Sequence, residues 1–114
     1  MKIKFAIIGF GHIGRKHYNT LLGNAEAEVV AICDPYLEEE SIDGIPVFKD
    51  IEQMLISIPE IDVVNICTPN GLHAEQSIIC INDGKHVVVE KPMSLTKKDA
   101  ENVIFHALNK HVKI

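Results

Sequence analysis

IKFAIIGFGHIG, Ile3 to Gly14, is the stretch on which the fold reading turns. Its first half holds the continuous apolar run Phe5-Ala6-Ile7-Ile8, the pattern of a parallel strand covered on both faces. Its second half, Gly9-Phe10-Gly11-His12-Ile13-Gly14, fits G-x-G-x-x-G. That pattern carries weight only between a strand and a helix. A strand is predicted over Lys2 to Ile8 and a helix over Gly11 to Leu22, with Ile13, His17 and Leu21 at roughly four-residue intervals, so the context is met. In such a turn Gly9 permits the tight reversal and Gly11 bares the backbone to a pyrophosphate. Gly14 lets the helix press on the strand. Free amides and the dipole at the helix start favour an anion. Asp34 follows about 20 residues past Gly14, at the end of the next predicted strand. A carboxylate there accepts hydrogen bonds from ribose hydroxyls and repels a 2′-phosphate, which favours NAD. Arg15 and Lys16 lie close enough to reward a phosphate, so NADP stays open. The plainer reading of Asp34 is a turn former ahead of Pro35.

Working outward, the apolar period keeps switching. Gly23-Asn24 closes the first helix. Glu28 to Cys33 is a second strand, ended by Asp34-Pro35. Leu37 to Ile45 reads as an acidic loop with a turn at Asp43-Gly44, followed by a short strand over Pro46 to Phe48. Asp50 caps a short helix through Ile51, Met54 and Leu55. Ile61 to Cys67 is a strand, Asn70 to Asp83 a helix closed by Gly84, and His86 to Glu90 a strand. The last helix is predicted over Thr96 to Lys110, opened by a capping-box-like Thr96-Lys97-Lys98-Asp99. His111 to Ile114 looks like the start of another strand. Alternating strands and helices imply an α/β, doubly wound, mostly parallel sheet of the Rossmann type, truncated near its sixth strand. The expected organisation is one dinucleotide-binding domain over residues 1–114, with a substrate domain absent from the chain.

Composition narrows the function classes. With 114 residues the chain suits one domain, and its net charge of −5 with 5% aromatic residues argues against nucleic acid as a partner. The N-terminal apolar run is too short for a membrane span and lacks a signal-peptide cleavage site. Cys33, Cys67 and Cys80 fit neither a disulfide framework nor a metal-site spacing, so no metal is expected. They read as small buried hydrophobes in a reducing, cytoplasmic setting.

Two more segments fall at predicted strand ends, Thr68-Pro69-Asn70-Gly71-Leu72-His73 and Glu90-Lys91-Pro92. Together with GFGHIGRKH, in this order, they closely resemble the N-terminal NAD(P)-binding domain of the Gfo/Idh/MocA oxidoreductase family, over essentially the whole chain. The resemblance implies that Gly9, Phe10, Gly11, His12, Ile13 and Gly14 form the pyrophosphate turn and that Asp34 holds the adenosine ribose. Thr68, Pro69, Asn70 and His73 would line the nicotinamide-side wall, with Glu90 near the nicotinamide ribose. Lys91 would be the catalytic lysine, with a cis peptide to Pro92 aiming it into the cleft. A cation beside the reacting oxygen stabilises a developing alkoxide, which suits that role. The plainer readings are a surface lysine before a turn for Lys91 and a packing residue for His73. His12 and His17 read as a loop and a helix-packing residue.

The implied activity is hydride transfer to or from a sugar, UDP-sugar or cyclitol. A second domain would supply most of the substrate pocket, an acid/base pair and the contacts of a homo-oligomer. The chain alone is expected to bind a dinucleotide weakly and turn over poorly. The alternative is a dinucleotide-sensing regulatory module without catalysis, against which Lys91 speaks.

Overall fold

A computed structural model describes all residues, 1–114. The elements run β1 (Ile3–Ile8), α1 (His12–Leu22), β2 (Ala27–Cys33), β3 (Ser41–Ile42), β4 (Ile45–Phe48), α2 (Ile51–Ser57), β5 (Val63–Ile66), α3 (His73–Asn82), β6 (His86–Val89) and α4 (Lys97–Lys110). The six strands form one sheet in the order β3-β4-β2-β1-β5-β6. Every pairing is parallel except the β3–β4 hairpin. From β1 the chain builds outward through β2, then returns to add β5 and β6 on the other side. This reversal opens a crevice at the carboxyl ends of β1 and β5, where ligands of such sheets bind.

Side-chain alternation along the strands, shifted by one residue in β2 where its register with β1 slips, divides the core. Ala6, Ile8, Ala31, Cys33, Val64 and Ile66 face the layer of α2, α3 and α4, where they meet Met54, Leu55, Cys80, Ile81 and Val103. Ile7, Val29 and Ile32 face α1 and meet Tyr18 and Phe10. Burial of both faces accounts for the unbroken apolar run of β1. Helix starts follow their caps: Asp50 accepts from the backbone N–H of Gln53 at 3.0 Å, and the Thr96 hydroxyl accepts from that of Asp99 at 3.1 Å.

Three segments differ from expectation. The Leu37–Ile45 loop contains β3, paired antiparallel with β4 through Asp43-Gly44. Both turn residues have positive φ, 52° and 80°, as a two-residue hairpin of matching twist requires. Asn70–Asp83 is not one helix. Extended Pro69 (ψ 146°) leads into a 3-10 turn over Asn70–Leu72, and the α-helix starts at His73. The tail does not form a ladder. His111 turns left-handed at φ 56°, and two hydrogen bonds tie the tail to β6, from the Val87 N–H to the Lys113 carbonyl at 2.9 Å and from the Lys113 N–H to His86 Nδ1 at 3.0 Å. No helix is long and apolar enough to cross a membrane.

Candidate functional site

The glycine turn at the end of β1 is shaped by three different needs. Gly9 has φ +88°, and a Cβ there would lie 2.8 Å from the Cys67 carbonyl oxygen and 2.9 Å from the Thr68 methyl. A Cβ on Gly14 would overlap the Gly9 carbonyl oxygen, so α1 sits against the turn as closely as backbone allows. Gly11 is the opposite case. Nothing lies within 4 Å of its Cβ position, and its φ of −83° is negative. Bare backbone therefore meets open space at the start of α1. Gly11 is the N-cap and offers no side-chain cap, and no acidic residue stands in the first turn, so α1 leaves its own first-turn amides without a side-chain acceptor.

Asp34 faces this turn from the end of β2. One carboxylate oxygen accepts from the Phe10 N–H at 2.8 Å, the other from the Tyr36 N–H at 2.9 Å. Each oxygen keeps lone-pair capacity for another donor. Phe10 contributes main chain only, because its ring is buried edge-on to Tyr18 at 5.5 Å. The Arg15 guanidinium stacks on that ring, 4.7 Å from its centre. Gly9, Gly11, Asp34, Tyr36, Thr68 and Pro69 share one cleft of about 490 Å³ that runs between α2 and α3.

The loops after β5 and β6 form the rest of the edge. The Thr68 hydroxyl donates to the Gln76 side-chain oxygen. His73 was expected along the cleft wall, but the structure seals its ring at 1% exposure. Nδ1 meets the Pro92 carbonyl at 2.8 Å and Nε2 the Thr68 carbonyl at 2.7 Å, so His73 acts on the cleft through the two loops it joins. Lys91-Pro92 is a cis peptide. Lys91, His12 and Asn70 are exposed, and Lys91 takes part in none of the chain's ion pairs.

Glu90 turns toward α1. Its carboxylate is 2.7 Å from His17 Nε2, and His17 Nδ1 is 3.0 Å from the Asn65 amide nitrogen. These three, with Ile13 and Lys16, line a second hollow of about 450 Å³ on the α1 face. The predicted residues thus divide: five line the cleft, Ile13 and Glu90 line the hollow, and Lys91 follows Glu90 along the same sheet edge. Sequence reasoning passed over Tyr36, Asn65 and gave His17 only a packing role. Asn65 carries a signal, a lone amide inside the apolar strand VVNI. The Cys67 thiol nearby is pushed up to about 12, mainly by burial and then by Glu90, so it stays protonated.

Residues 3–114 match the model of the oxidoreductase family with the NAD-binding Rossmann fold. The chain belongs to the Gfo/Idh/MocA family. Among curated members, D-glucoside 3-dehydrogenase of Escherichia coli is 32% identical over 107 residues, covering 89% of this chain and 30% of its own length. The scyllo-inositol 2-dehydrogenase (NADP(+)) of Bacillus subtilis is 36% identical over 104 residues, covering 89% of this chain and 29% of its own. The chain therefore spans about 30% of the length of such relatives. Among solved structures, the WlbA dehydrogenase of Chromobacterium violaceum, in complex with NADH and UDP-GlcNAcA, superposes with a TM-score of 0.90 at 30% identity, covering 99% of this chain and 35% of that one. The WlbA dehydrogenase of Bordetella pertussis, also with NADH and UDP-GlcNAcA, gives 0.90 at 30% identity, covering 100% and 37%.

Proposed function

We propose that residues 1–114 are the dinucleotide-binding domain of an NAD(P)-dependent oxidoreductase that moves hydride to or from a hydroxyl or carbonyl carbon of a sugar, UDP-sugar or cyclitol. The observation that carries this reading is the open space over Gly11 in the same cleft as Asp34. A bare backbone cradle and a ribose-type acid fit the two ends of an adenosine diphosphate unit.

In this reading the first-turn amides of α1 receive the pyrophosphate, and Asp34, steadied by the Phe10 and Tyr36 N–H groups, receives the ribose hydroxyls. Tyr36, 92% exposed at the cleft mouth, offers its ring to the adenine. Glu90 receives the ribose of the other half. The nicotinamide, when bound, takes up or returns the hydride. Lys91 would stand by the substrate oxygen, where its ammonium stabilises the charge that develops as the hydroxyl proton passes to the acid/base pair expected of the second domain. The further length of the relatives accommodates a second domain for substrate and for homo-oligomer contacts. Three free thiols suit a reducing, cytoplasmic setting.

Titration of NADH and NADPH into the 114-residue chain, followed by nicotinamide fluorescence, tests the reading. Saturable binding, tighter for NADH, is expected, without appreciable turnover of inositol or a UDP-sugar. Absence of binding for both cofactors overturns it.

A further inference from the structure

We propose that His17 is a positioning residue for Glu90, held in a single tautomer by Asn65, so that Glu90 presents its other carboxylate oxygen to the cofactor's second ribose. The proposal rests on the function proposed above.

Three elements converge here: Asn65 inside β5, His17 in the middle of α1 and Glu90 just past β6. The Asn65 amide nitrogen only donates, so His17 Nδ1, 3.0 Å away, is the acceptor and carries no hydrogen. The ring hydrogen is then on Nε2, where it donates to one Glu90 oxygen at 2.7 Å. A histidine whose second nitrogen is fixed by a neighbour is oriented as well as protonated at a chosen atom. Packing does not account for Asn65. It is 4% exposed between Val64 and Ile66, both fully buried, and its own oxygen has no partner. An amide in such a place is unfavourable unless its hydrogen bond is put to use, and its recorded bond goes to His17. Glu90 is 39% exposed, so the carboxylate is anchored from below and open above, one residue before Lys91.

The test separates positioning from packing by ligand. In the proposed function ADP fills only the cleft of Asp34, and the nicotinamide half of NADH is what extends to Glu90. His17→Phe keeps a ring and removes the donor. His17→Gln restores a donor. The expected result is that His17→Phe weakens NADH binding by about five- to tenfold, less than the loss of a direct charge-assisted bond, because Glu90 remains and only its positioning is lost. ADP affinity should stay as in wild type, the melting temperature should fall because the buried Asn65 amide loses its acceptor, and His17→Gln should recover most of the NADH affinity. A wild-type NADH affinity in His17→Phe, or equal losses for NADH and ADP, overturns the proposal. A wild-type chain that binds neither ligand overturns the proposed function as well. Independently of any ligand, the ¹⁵N imidazole spectrum should show His17 as the Nε2–H tautomer, lost in Asn65→Val; an Nδ1–H tautomer in wild type contradicts the assignment.

Discussion

Gly11 and Gly14 belong to one motif yet are glycines for different reasons, and substitution should separate them. Alanine at Gly14 has to displace the Gly9 carbonyl, backbone that cannot yield, so a loss of about 3 kcal/mol of stability is expected in urea unfolding. Alanine at Gly11 meets nothing and costs only the small penalty of a poorer N-cap, so its unfolding midpoint should lie far closer to wild type than that of Gly14→Ala. Asp34→Asn keeps an acceptor for the Phe10 N–H and removes the charge. Paired titrations should therefore show the NADH-over-NADPH preference shrinking by about tenfold, equivalent to one charge-assisted hydrogen bond or repulsion. The glycine turn and Asp34 were legible because local spacing defines them. The surroundings of His73 were not. One of its two carbonyl partners, Pro92, is 19 residues away and reaches it only through the folding of β6 beside β5. The Asn65–His17–Glu90 chain escaped for the same reason, since its contacts join positions 48 and 73 residues apart.

At the scale of elements, long apolar runs and caps were readable because burial and first-turn hydrogen bonds are local. The β3–β4 hairpin was not, because two residues carry too little pattern to mark a strand; only its Asp43-Gly44 turn was visible. The core elements also set an alkaline limit. The thiols of Cys33 in β2, Cys67 after β5 and Cys80 in α3 are each pushed from 9.0 to about 12, in every case chiefly by burial. An unfolded chain releases these protons near 9 while the folded chain keeps them. Stability is therefore fully present below pH 9 and falls as pH rises from 9 toward 12. Urea midpoints across pH 7 to 11 should show this decline, and alanine at Cys80 should lessen its steepness; a midpoint unchanged by pH above 9 would count against buried thiols. The cap on α2 gives a smaller effect: Asp50→Ala should cost about 1 kcal/mol in the same assay.

At the scale of the whole molecule, the sheet order places the site. The chain leaves β1 toward β2 and returns to β5, so the ends of these three strands deliver Gly9, Asp34 and Thr68 to one crevice. Strand alternation in the sequence implied a parallel sheet, but not the depth of the cleft, which depends on how far α2 and α3 stand apart. In the proposed function a dinucleotide rests on the bare backbone at Gly11, in the crevice these strand ends form. The measurement that tests it most directly is NADH titration of wild type and Gly11→Val, each checked by thermal melting. Saturable binding to wild type is expected, with at least about tenfold weaker binding to the variant through steric exclusion of the pyrophosphate, while the variant still melts cooperatively with only the modest loss of a poorer N-cap. Equal NADH affinity in the two proteins would contradict it.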